Sequence, residues 1–215
     1  MGVRAEQKSR THQAILASAS KLLRERGISG ARVADVMKGA GLTVGGFYAY
    51  FPTKEALIDD VLRRAAEQMR SRLFAGLADR TAAERIELVL QRYLSRTHRD
   101  ETAQGCPFPA VVGEVAMGEG EHRETIEETI ELFARELGGM LPDAPPAERR
   151  ANALAAIALM IGGLTLARSL RGRALSDEIL RACRAFARRA LVGADRVAGR
   201  PAPGRRAAAG PARGD

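Results

Sequence analysis

The sequence predicts an all-α protein of about nine helices, arranged as a small N-terminal bundle followed by a larger helical body. Three observations predict it. The 215-residue chain is 46% hydrophobic but only 4% aromatic, with no Trp, so its apolar mass comes from Ala, Leu, Val and Ile in a background of Arg and Glu, a helix-forming composition. Apolar residues recur at helical spacing in segment after segment, and no stretch shows sustained two-residue alternation. Gly27, Pro52, Gly76 and the Pro-rich run at 142–146 fall between those segments, where helices must stop. The length is ample for a buried core.

The first helix is expected over residues 11–26, with Ile15, Ala19, Leu22 and Leu23 as its stripe, Leu16 at the edge and Gly27 as its stop. Two short helices follow, 32–39 and 43–50, separated by Ala40-Gly41-Leu42, and Pro52 ends the second. Thr53 can cap a longer helix whose stripe is Leu57, Val61, Leu62, Ala65, Met69 and Leu73, broken at 76–80. Thr81-Ala82-Ala83-Glu84 is a capping box opening a helix to about Arg99. Residues 100–109 read as a loop, followed by a short helix and an acidic one over 119–140. Residues 147–170 form the most apolar helix, and Ser176-Asp177-Glu178 caps the last, which runs to about Val192. From Ala198 onward the chain is a Gly/Pro/Ala/Arg low-complexity tail, expected to be disordered. The expected organisation is therefore 1–52, 53–195 and a basic tail at 196–215.

The net charge of +8 is unevenly spread. Residues 1–54 carry nine Lys/Arg against three Asp/Glu, and residues 196–215 carry five Arg and one Asp. The body between them is slightly acidic. A basic N-terminal segment points to a polyanionic partner. The longest apolar run, 153–167, contains Gly162, Gly163 and Thr165 and is shorter than the roughly 20 residues a bilayer span needs, so it reads as a buried helix with no membrane partner. The first ten residues lack the apolar centre of a signal peptide. With only Cys106 and Cys183, the expected compartment is the reducing cytoplasm, without a disulfide.

Residues 33–50 carry the functional argument. Val33, Val36 and Met37 give a short helix an apolar face, Gly41 permits a sharp turn, Leu42 can plug the core, and Thr43 can cap the next helix. That pattern is a helix-turn-helix, whose second helix can lie in a DNA major groove. Phe47 and Phe51, four apart, should face inward. Tyr48 and Tyr50 then point elsewhere, with hydroxyls able to donate to phosphate oxygens. Gly45 and Gly46 read either as a weak helix start or as a surface smooth enough for close approach of backbone to DNA.

Residues 10–57, and within them Gly41-Leu42-Thr43 with the run from Gly46 to Leu57, resemble the DNA-binding domain of the tetracycline-repressor (TetR) family. The resemblance implies that Tyr48, Tyr50 and Lys54 bind phosphates and that Thr43, Val44, Gly45 and Ala49 face the groove. Tyr50 stands where many members have His. Ala31 stands where Thr commonly caps and touches phosphate, and Arg32 beside it can substitute. Arg4, Lys8 and Arg10 can add non-specific phosphate affinity or simply be solvated. With so few polar base-reading side chains, discrimination would lean on thymine methyl contacts from Val44 and Ala49 and on DNA shape.

For the larger body the resemblance implies ligand binding and dimerisation. Residues 147–170 are apolar on nearly every face, and the last helix carries Ile179, Leu180, Cys183, Phe186, Ala187 and Leu191 along one side. These two helices are expected to form a four-helix interface with a second copy, Gly162-Gly163 permitting close approach, the alternative being plain intramolecular core. A pocket is expected in the body, with Cys106, Phe108, Met117, Phe133, Met140, Met160 and Leu164 as wall or plain core. Cys106, between Gly105 and Pro107, reads either as a small loop residue or as an exposed thiol sensor activated by Arg99. The acidic run from Glu114 to Glu131 reads as a solvated face rather than a metal site.

No enzyme is expected. Only His12, His98 and His122 are present as histidines, and neither a phosphate loop nor a nucleophile elbow occurs. No cofactor is implied. The expected function is a ligand-responsive regulator, a repressor that binds a palindromic double-stranded DNA operator as a homodimer and is released by a small-molecule or thiol-reactive effector. The alternative is a constitutive or architectural DNA-binding protein without a ligand.

Overall fold

The computed structural model describes residues 2–141 and 145–192. Among the described residues the fold is all-helical, with no strand: nine α-helices and two short 3₁₀ segments. The expected tail at 196–215 lies outside them, as does the centre of the proline-rich break. The helices are α1 (Val3–Gly30), α2 (Val33–Gly39), α3 (Lys54–Leu73), α4 (Ala82–Tyr93), α5 (Arg96–Asp100), α6 (Phe108–Met117), α7 (Arg123–Gly138), α8 (Pro146–Ser169) and α9 (Ala174–Val192).

The small N-terminal bundle is α1, α2 and a 3₁₀ segment, Val44–Ala49. Its core is Ile15, Leu23, Met37, Phe47 and Leu57, all buried. The expected stop at Gly27 is a sharp bend, with φ 71° and ψ −169°, after which one more turn carries the chain to Gly30. The helix also begins earlier than its apolar stripe, because the polar residues 4–10 propagate it outward without needing cover. Gly41, at φ 72°, makes the expected turn. The segment after it is 3₁₀ rather than α. Gly45 and Gly46 are poor helix formers, and the Gly46 N–H reaches back only three residues, to the Thr43 carbonyl.

Thr53 caps α3 as expected, its Oγ1 accepting the Ala56 N–H at 3.1 Å. Leu57, Val61, Leu62, Ala65, Met69 and Leu73 are all buried along it. The Thr81–Glu84 capping box opens α4. That helix ends at Tyr93 rather than near Arg99, because Ser95 caps a separate helix, α5, accepting the His98 N–H at 3.0 Å. The expected cap at Ser176 is also corrected. α9 starts at Ala174, and Ser176 is buried inside its first turn, donating to the Ala167 carbonyl at 2.6 Å.

α8 runs between α7 and α9 and touches α4 and α6 as well. Gly163 is where α9 comes closest: a methyl there would meet Cys183 Sγ at 2.8 Å. By length and composition α8 could cross a bilayer, and 39% of its most apolar stretch is buried here. Its outer side, Ala155, Ala158, Gly162 and Leu166, is an exposed apolar stripe at helical spacing. On α9 the inward side is Leu180, Ala187 and Leu191, so these belong to the protomer's own core, whereas Phe186 is 58% exposed.

Candidate nucleic-acid interface and internal cavity

In the 43–51 segment one set of side chains roots the backbone and another leaves it free. Phe47 is fully enclosed and stacks on Phe51 at 5.9 Å between centroids, and Phe51 stacks on His12 of α1 at 4.8 Å. Tyr48, next to Phe47, is 73% exposed. Thr43, Val44, Gly45 and Ala49 are exposed on the same segment. Neither glycine is required by the interior: a methyl on Gly45 would meet nothing within 4 Å, and one on Gly46 only Met37 Cε at 3.7 Å.

Three of the expected phosphate ligands stand differently from expectation. Tyr50 is half-buried, tilted toward His12 at 6.5 Å, because the 3₁₀ winding turns it back onto α1. The Lys54 ammonium donates to the Ile28 carbonyl at 3.0 Å, leaving two of its three protons unspent. Arg32 is exposed and pairs with Asp35 at 3.1 Å, one turn into α2. Ala31 is wholly buried.

The expected exposed loop at 100–109 is the largest correction. Gly105, Cys106, Pro107 and Phe108 are buried, and arginines from three helices hold this stretch. Arg24 Nε of α1 donates to the Gly105 carbonyl at 2.8 Å, Arg72 of α3 to the Gln104 carbonyl at 2.8 Å, and Arg168 of α8 to the Cys106 and His98 carbonyls at 3.3 and 3.0 Å. Burial depresses the Arg24 pKa, with the nearby charge of Arg72 adding to it. Arg99 is not beside the thiol; it pairs with Asp100 and Asp177. Burial pushes the Cys106 thiol up, so the thiolate that a sensor needs is disfavoured.

His98 organises the same stretch. Its Nε2 accepts the Cys106 N–H at 2.8 Å, so the neutral ring carries its proton on Nδ1 and donates it to the Tyr93 carbonyl at 2.7 Å. Burial takes the His98 pKa down to about 4. The ring meets Tyr93 edge-on at 4.7 Å.

Behind this stretch lies an apolar cavity of about 30 Å³. Four of the expected wall residues meet there: Cys106, Phe108, Phe133 and Met160. Three do not. Met117 is 86% exposed, since it is the last residue of α6 and turns to solvent there. Met140 follows the end of α7 and packs half-buried beside Leu141. Leu164 is fully enclosed core, one turn past the wall residues Met160 and Ile161. The sequence reading missed Met69, Tyr93, Ile157 and Ile161 in the wall. The i, i+3, i+4 spacing of Ile157, Met160 and Ile161 could have found two of them.

The sequence reading also missed Glu114, grouped with the solvated acidic face. Its carboxylate accepts the Ile28 N–H at 2.7 Å, the Ser29 N–H at 2.8 Å and the Ser29 hydroxyl. Burial raises its pKa, but the bonds from Ser29 and Ile28 and the charge of Lys54 together outweigh that and hold the carboxyl below the usual range. α6 therefore begins in the cavity wall with Phe108 and ends by gripping α1 just past its bend. Gly27 is the residue that allows the approach, since a methyl there would lie 2.9 Å from the Ala110 carbonyl oxygen and collide with Glu114.

Residues 15–61 match the family described as bacterial regulatory proteins, tetR family. The transcriptional regulator EthR of Mycobacterium tuberculosis strain H37Rv is 42% identical over 71 residues, 33% of this chain and 30% of EthR. That match thus spans about a third of either protein. Among solved structures, a TetR transcriptional regulator of Chloroflexus aurantiacus superposes with a TM-score of 0.72 at 24% identity, covering 85% of this chain and 94% of its own. The reduced form of E. coli NemR superposes with a TM-score of 0.68 at 24% identity, covering 82% and 94%. These likenesses extend the shared fold through the larger helical body.

Proposed function

We propose that this chain, whose residues 15–61 match the family described as bacterial regulatory proteins, tetR family, is a ligand-responsive repressor of transcription, acting in the cytoplasm as a homodimer on a palindromic operator. The observation that carries this reading is the split between Phe47 and Phe51 inside and Tyr48, Val44 and Thr43 outside. Tyr48 donates to a phosphate oxygen. Thr43, Val44, Gly45 and Ala49 enter the groove, and Gly46 keeps the backbone low enough for them to reach base edges. Tyr50, Lys54 and Arg32 flank the segment, with Lys54 contributing its two free protons.

The second copy docks on the outer stripe of α8 and on Phe186 of α9. A stripe of Ala and Gly lets two helices approach closely, and its burial in a two-fold contact is what a closed dimer requires. The two recognition segments then stand about one DNA turn apart, near 34 Å. The effector is a small molecule held in the cavity. A thiol-reactive signal is not part of this reading, because Cys106 is buried and its thiol is shifted away from ionisation.

The wall of that cavity is tied to α1 twice, by Arg24 on the Gly105 carbonyl and by Glu114 on Ile28 and Ser29. A molecule that spreads the wall moves both ties, so it binds one spacing of the recognition segments better than another and shifts the population between them. These ties favour a sensor over a constitutive or architectural DNA-binding protein, which needs no such joint.

The test is an unbiased duplex selection with the purified chain. Enrichment of a palindrome is expected, with an affinity that falls steeply as salt rises. A library that enriches no shared sequence overturns the reading.

A further inference from the structure

The cavity carries chemical information about what enters it. It lies among Met69 of α3, Tyr93 of α4, Phe108 of α6, Phe133 of α7 and Ile157 and Met160 of α8, and no charged side chain lines it. The nearby guanidinium groups of Arg24 and Arg168 are turned onto backbone carbonyls instead. An ion entering here would lose its water and touch no charged side chain in the wall, a large penalty. The occupant is therefore uncharged.

Hydrogen-bonding capacity in the wall is nearly exhausted. The Thr129 hydroxyl donates to the Thr125 carbonyl at 2.8 Å, and the Cys106 N–H is taken by His98. The exception is Tyr93, whose ring is 3% exposed and whose hydroxyl is buried without a partner. Beside that hydroxyl lies only the Cys106 thiol, a weak hydrogen-bonding group that burial holds in its neutral form. A buried hydroxyl left unpaired is costly, and native interiors seldom tolerate one without a reason. His98 holds the Tyr93 carbonyl and packs against its ring, so the hydroxyl cannot easily turn away.

Size follows from the wall. About 30 Å³ holds a water or two and no organic molecule. The wall must yield, and Met69 and Met160, unbranched thioethers, are the side chains best able to repack. They can open room for one ring or a short alkyl group without dismantling the helices.

Resting on the sensor reading above, we propose that this cavity binds a compact, uncharged, largely apolar molecule bearing one hydrogen-bonding oxygen, which Tyr93 receives. The test uses the full chain with phenol, toluene and benzoate as probes, reading melting temperature and operator occupancy in parallel. Phenol should raise Tm most, toluene less, and benzoate not at all at equal concentration. Tyr93→Phe should raise the Tm of the free protein by about 2–4 °C, because an unpaired hydroxyl is gone. It should also weaken phenol binding roughly tenfold, the loss of about one hydrogen bond, while leaving toluene unaffected. Met160→Trp, which fills the space, should abolish both responses.

Benzoate binding as well as phenol, or Tyr93→Phe binding phenol with unchanged affinity, overturns the proposal. Operator release separates the two readings. Phenol binding in the expected pattern without release leaves the ligand class standing and sinks the sensor. Release by benzoate with no response to phenol does the reverse.

Discussion

The 43–51 segment and the 95–108 stretch are both short, irregular pieces of backbone built around aromatic residues, and they are built in opposite ways. The first is held from one side only. Phe47 and Phe51 root it, and beyond them Val44, Gly45, Tyr48 and Ala49 are exposed. The second is held from every side, with its carbonyls taken by Arg24, Arg72 and Arg168 and its amides by Ser95 and His98. The difference teaches that irregular backbone has two uses. One leaves side chains free for an outside partner; the other leaves nothing free, so that movement at one point is felt at all the others.

The neighbours Phe47 and Tyr48 test the comparison most severely. Phe47→Ala should cost about 3–5 kcal/mol by emptying the centre of the small bundle, visible as a Tm fall of roughly 6–20 °C. Tyr48→Ala should leave the Tm within about 2 °C while weakening operator binding about fivefold or more. If the two variants melt alike, the division into root and outer face is wrong.

The buried stretch should show itself through pH. His98 has its pKa depressed to about 4 from 6.5. The unfolded chain therefore binds a proton that the folded chain refuses, and the stability this ring supplies is complete above 6.5 and drains away as pH falls toward 4. The full loss is roughly 3 kcal/mol, and His98→Gln should flatten the Tm profile in that window. A wild-type profile that is already flat between pH 6.5 and 4.5 would show that this stretch is not closed around a neutral ring.

The smallest effect is expected at Gly45. An added methyl meets nothing, so Gly45→Ala should change stability by no more than about 0.5 kcal/mol. Operator binding should nevertheless weaken, since the methyl stands where DNA must approach. Unchanged affinity would mean that the smooth surface is incidental.

Much of the fold was legible because its signals are local. The turn at Gly41, the cap at Thr53, the box at Thr81–Glu84 and the stripe from Leu57 to Leu73 each involve residues a few positions apart. The outward set around Tyr48 was legible for the same reason. The loop was misread because its burial depends on partners from 32 to 81 positions away, such as Arg72 and Arg24, and no spacing rule announces them. Glu114 was misread likewise: among so many exposed carboxylates, only contact with α1, 85 and 86 positions distant, sets it apart. The apolar side of α9 was legible only in part. Leu180 and Phe186 lie at opposite edges of that stripe, about 120° apart on a wheel, so packing that buries the one leaves the other out.

The bend at Gly27 has a mechanical corollary. The backbone of α6 stands so close to that glycine that α1 cannot be pressed nearer, and the three bonds of Glu114 resist drawing it away. The joint is a strut in compression and a tie in tension. A joint with no slack has no dead zone, so even a sub-ångström displacement of α6 reaches the end of α1 without first being absorbed.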